Sequence, residues 1–150
     1  MAKIISLPTQ APCFTNLARN NTLKKFFYKN CLVLSVIWAF IILALCSTPG
    51  QFIPSVSWLE MLSFDKWVHA SMFFVLCSLL FIVSIKKQQS ALIVGIYFIS
   101  CVLYGGLLEV MQAKCFSNRS ADWQDFVANS FGCVVALFLF KKIKVFFISY

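Results

Sequence analysis

Charge is scarce in this chain. Only 12% of its 150 residues are charged, and five of them are acidic. An ordinary soluble domain has about a quarter of its residues charged, and a disordered one lacks apolar residues. The 61% apolar composition and mean hydropathy of +0.85 exclude both. Histidine occurs once, proline four times and glycine five times. No glycine-rich phosphate loop, nucleophile elbow or zinc motif is present. The seven cysteines supply no such motif. Cys31, Cys77, Cys101 and Cys133 lie inside apolar runs, Cys13 lies in a basic N-terminal stretch, and none is closely spaced with a histidine or another cysteine. These spacings predict no zinc site and no disulfide framework, with a Cys46–Cys115 bond as the one pairing left open, and no metal or cofactor is assigned.

What the chain has instead is apolar runs of membrane length. Crossing the hydrocarbon takes about 20 apolar residues in a helix. Residues 31–47 form a first run without charge, ended by Ser47-Thr48-Pro49-Gly50. Residues 51–64 are broken by Pro54, Glu60 and three serines, and suit a half-embedded interfacial segment with Trp58 at headgroup level. A second run, 65–85, closes at Lys86-Lys87. A third, 90–111, carries no charge before Glu109. A fourth goes from Asp125 to Phe140 and stops at Lys141-Lys142-Ile143-Lys144, after which 145–150 either extend the helix or fold back. The expectation is an all-α membrane protein, a bundle of four transmembrane helices with the interfacial segment between helices 1 and 2. Residues 1–30 read as a basic arm and 31–150 as the membrane domain. Pro8 and Pro12 argue against a long regular helix at the start of the arm.

The net charge of +8 would suggest nucleic acid in a soluble protein. Here the basic residues flank apolar runs, so anionic membrane lipids are the expected partners and nucleic acid is not. With the N-terminus in the cytoplasm, ten of the thirteen basic residues lie on that side. Lys66, Lys114 and Arg119 remain outside, which places both termini in the cytoplasm by the positive-inside rule. All five acids (Glu60, Asp65, Glu109, Asp122 and Asp125) then fall at the outer end.

At 100° per residue, Asp122, Asp125, Asn129 and Gly132 share one helix stripe, as do Gly105, Glu109 and Gln112, and as do Asp65 and His69. Lipid cannot satisfy such groups, so the stripes should face inward. A compact bundle would gather Asp65, His69, Glu109, Gln112, Arg119, Asp122, Asp125 and Asn129 at one mouth. Glu109, His69 and Asp125 are the acid/base candidates. Asp65, Lys66, Gln112, Arg119, Asp122 and Asn129 are candidates for holding an anionic ligand, aided by helix N-termini. Each has a structural alternative: Asp65, Asp122 or Asp125 as helix caps, His69 as a hydrogen-bonded core residue, and Glu109 as a buried ion pair with Arg119. A divalent metal on Glu109, Asp125 and His69 fits by residue type alone. Asp65/His69 and Asp125/Asn129 also form a faint internal repeat.

Thr48-Pro49-Gly50, Asp65-Lys66 with His69, Glu109 with Gln112, and then Arg119, Asp125, Asn129 and Gly132 resemble, in that order, the VanZ-like family of bacterial membrane proteins. The resemblance covers about residues 40–140. One departure is Ala70, where many relatives place an aromatic after the histidine. The family is named for a protein associated with resistance to the glycopeptide teicoplanin. The resemblance implies a multi-pass protein of the bacterial inner membrane and a link to the cell envelope, but no reaction. Two functional expectations stand. The first is a module that binds or handles an envelope component, with an envelope precursor lipid or a glycopeptide as ligand. The second is an enzyme acting by acid/base catalysis on a phosphate-bearing envelope lipid. A purely structural or partner-binding role, and a homo-oligomer, remain open.

Overall fold

The structure, a computed structural model, describes residues 12–47, 64–115 and 122–148. It contains helix α1 (Pro12–Cys46), α2 (Phe64–Lys86), α3 (Ala91–Cys115) and α4 (Trp123–Ile148), with no strand among the described residues. Thr22–Cys46, Asp65–Lys86 and Ala91–Lys114 are long and apolar enough to cross a membrane. The protein is therefore an all-α, multi-pass membrane bundle. α4 carries Gln124, Asp125 and Asn129 near one end and Lys141, Lys142 and Lys144 near the other.

Two helix ends bear on the sequence expectations. α1 crosses the proposed division at residue 30 without a break and begins at Pro12. Proline fits the first helical position because its missing N–H would have no intrahelical partner there. α4 runs through its lysines to Ile148, so the tail extends the helix rather than folding back. The expected interfacial segment, 51–64, lies almost wholly outside the described residues; only Phe64 is included, as the first residue of α2.

α2 is the central helix. Of its apolar span 61% is buried, against 22% in each of α1 and α3. Its most extensive partner is α4, and it also packs on α1 and α3. Phe73, Leu76, Cys77 and Phe81 of α2 join Ile42, Cys101, Leu108, Cys133 and Ala136 in the main core. Outward residues such as Phe40, Leu103 and Phe138 are exposed, as lipid-facing positions should be. Several polar groups within the bundle are satisfied internally, as a lipid environment demands, while Ser78 Oγ, Gln89 Oε1 and Asn129 Nδ2 are buried without a hydrogen-bond partner among the described residues. Trp38 Nε1 donates to Met72 O at 3.0 Å, and Tyr104 Oη donates to Ala39 O at 2.7 Å, which pins α1 to α2 and α3. Ser35 bonds back to Cys31 O within its own helix at 2.7 Å.

α2 and α4 run in the same direction and come closest at Gly132. A Cβ there would collide with the carbonyl of Ala70, so only glycine allows this approach. Between α2 and α3, Gln88 adopts a left-handed conformation with φ 51°. Its N–H bonds to Ile85 O and the Gln89 N–H to Ser84 O, which closes α2 with the pattern usually built around glycine. The result is a bundle with two unlike ends. Lys24, Lys25, Lys29 and Lys144 line a cavity of about 750 Å³ at one end. All the described carboxylates gather at the other.

Candidate functional site

The acidic end is built where α2 and α4 start. Asp122 immediately precedes α4, and its Oδ1 accepts the N–H of Gln124 at 2.9 Å, a helix cap. Asp122 N–H in turn reaches Glu109 Oε2 of α3 at 3.3 Å. One turn into α4, the buried Asp125 faces α2. Lys66 Nζ lies 3.1 Å from both Asp122 Oδ2 and Asp125 Oδ1 and ties the two helix starts together. Asp65 falls in the first turn of α2 rather than before it, and its side chain is exposed; it does not cap.

Below this pair the two halves of the internal repeat meet. His69 Nδ1 lies 3.1 Å from Asn129 Oδ1, with both side chains buried. An amide oxygen can only accept, so Nδ1 is the donor in this pairing. Nε2 faces Asp65 Oδ1 at 3.8 Å and Asp125 Oδ2 at 3.9 Å. Two carboxylate oxygens and one ring nitrogen thus converge on one small space. A proton, a cation or a hydrogen-bond donor from a ligand placed there would bridge them. The donor atoms of Asp65, His69 and Asp125 lie within 4.8 Å of one another, close enough to hold an ion. The sequence reading had grouped Glu109 with His69 and Asp125. The geometry puts Asp65 in that position, because Asp65 shares a face with His69 on α2 while Glu109 reaches toward Asp122.

Gln112 has a different task. Its Nε2 donates at 3.1 Å to the carbonyl of Cys46, the last residue of α1, and so serves a helix-end acceptor. It does not face the cluster's open space. Arg119 lies outside the described residues, and with it the proposed pair with Glu109. The cluster's described members hold four carboxylates (Asp65, Glu109, Asp122 and Asp125) against one ammonium. Lys66 is already matched by two of those carboxylates, so the described part of the mouth is acidic rather than anion-attracting. The Asp122 carboxyl is held below the usual carboxylate range, first by the Gln124 N–H and then by Lys66.

Beside the cluster, a cavity of about 420 Å³ runs along the α2–α4 seam. Trp67, Ala70, Trp123, Val127 and Phe131 form its walls and Lys66 stands at the polar cluster. Trp67 and Trp123 are exposed on either side. Sequence spacing did not single these residues out; two tryptophans near the starts of helices that share an end were the available signal. Comparison of the chain with protein families, with curated proteins and with solved structures finds no match.

Proposed function

We propose that the protein binds or handles an amphipathic, lipid-linked component of the bacterial cell envelope at the outer face of the inner membrane. The observation that carries this reading is the sharing of Lys66 between the apolar α2–α4 cavity and the polar cluster. A lipid tail would lie along Trp123, Val127 and Phe131 while its head reached His69, Asp65 and Asp125. Converging acceptors favour a head rich in hydroxyls or amines over a bare phosphate. This extends the resemblance to VanZ-like proteins, and a part in tolerance of teicoplanin-type glycopeptides is proposed with it.

The test is lipid mass spectrometry of the purified protein. Trp123→Ala removes a cavity wall without touching the core. A glycan- or amine-bearing lipid should be enriched with the wild type, and enriched at most about a tenth as much with Trp123→Ala or Asp125→Asn. Co-purifying lipids identical to the bulk membrane in all three would overturn the reading.

One observation favours catalysis as a second reading. The Asp65–His69–Asp125 group has the donor types and spacing for a divalent ion, which would admit a phosphate and leave Glu109 for proton transfer. Release of a phosphorylated headgroup in nanodiscs, dependent on added Mg²⁺ and lost in Glu109→Gln, is the result this reading requires.

A further inference from the structure

Cys77 of α2, Cys101 of α3 and Cys133 of α4 come from three separate apolar runs, yet their sulfur atoms lie within 4.8 Å of one another. All three are almost wholly buried, at 0%, 2% and 0% exposure. They sit near the middle of their helices, well below the acidic cluster. Three sulfurs bonded at about 2.3 Å to a central ion in a plane stand about 4 Å apart, so the triangle needs little rearrangement to close on one ion. Among the described residues no other His, Cys, Asp or Glu joins the group.

We propose that Cys77, Cys101 and Cys133 form a three-coordinate site for a soft monovalent metal ion, Cu(I). Ligand softness and number select it. Thiolate donors favour Cu(I), Zn²⁺ and iron–sulfur centres, and structural zinc takes four ligands where this site offers three. Each sulfur that binds does so as its thiolate, so Cu⁺ displaces a proton from each ligating thiol, the protons pass to water, and no electron is transferred. Zn²⁺ would lack a fourth ligand.

An approach exists. A cavity of about 210 Å³ at the junction of α1, α2 and α3 is lined by Ser35, Leu76, Leu80, Ser100, Tyr104 and Cys101 itself.

The test uses the full chain, solubilised in detergent, reduced and kept free of oxygen, with Cu(I) as the probe against a chromophoric Cu(I) chelator. Wild type should retain one equivalent, and X-ray absorption should count three sulfur neighbours at about 2.3 Å. Cys101→Ser should weaken retention by more than about tenfold, since changes merely behind metal ligands already do that much. Cys31→Ser, which removes a buried thiol outside the triangle, should leave retention unchanged. Failure of the wild type to hold Cu(I), or equal retention by Cys101→Ser, would overturn the proposal. If Cys101→Ser does not fold, the sulfur count on the wild type still decides: fewer than three sulfurs rejects the site.

Discussion

Asp122 caps α4 through the Gln124 N–H and also holds the Lys66 ammonium, and both interactions are stronger with its carboxylate ionised. Its folded-state pKa is lowered. Its contribution to stability is therefore complete above the ordinary carboxylate range and fades as pH falls through the lowered value. Asp122→Asn keeps a good cap and removes only the charge. The wild type should exceed it by less than about 1 kcal/mol at neutral pH, since the side chain is 41% exposed and water screens the pair. Thermal unfolding of both proteins across pH checks this, and the gap should close below about pH 3 to 4. A gap that widened in acid would contradict the assignment. Gln112 illustrates the opposite case. Its place on a polar stripe was visible from spacing, but its partner, the carbonyl of Cys46, belongs to a helix that sequence periodicity cannot position.

The parallel pair α2 and α4 rests on Gly132, where a methyl group would meet the backbone of Ala70 and Phe74. Neither backbone can yield as a flexible side chain would, so Gly132→Ala should destabilise by about 1–3 kcal/mol. Gly95 has open space where its Cβ would stand. Gly95→Ala should thus be neutral or stabilise by up to about 1 kcal/mol, and unfolding in detergent compares the two. The helices themselves were legible because apolar length and lysine stops are local signals, and the inward stripes followed from the 3.6-residue period. The start of α1 was not, because proline breaks a helix interior but fits its first turn. The Cys77–Cys101–Cys133 triangle was also hidden. Each cysteine sits alone in an apolar run, and only the packing of three helices brings the sulfurs together.

The whole molecule is polarised along the bundle axis. Lys24, Lys25 and Lys29 of α1 meet the α2–α3 link and the C-terminal half of α4 around one cavity, so the early part of α1 and the end of α4 share an end. Asp65, Glu109, Asp122 and Asp125 lie at the other. Positive charge in short flanking segments sets orientation while acids contribute little, so the lysine-rich end should face the cytoplasm and the acidic cluster the opposite side. A fluorescent protein fused after Tyr150 should then mature and fluoresce, and alkaline phosphatase at the same position should be inactive. A phosphatase fused after Gly50, beyond the end of α1, should be active. Replacing Lys141, Lys142 and Lys144 with Gln removes three of the charges that retain the tail, and should raise phosphatase activity of the Tyr150 fusion if those lysines help fix the orientation. Strong activity of that fusion in the unaltered chain would invert the molecule. The carboxylate-rich mouth would then face the cytoplasm, and the binding site proposed for the outer face would not exist there.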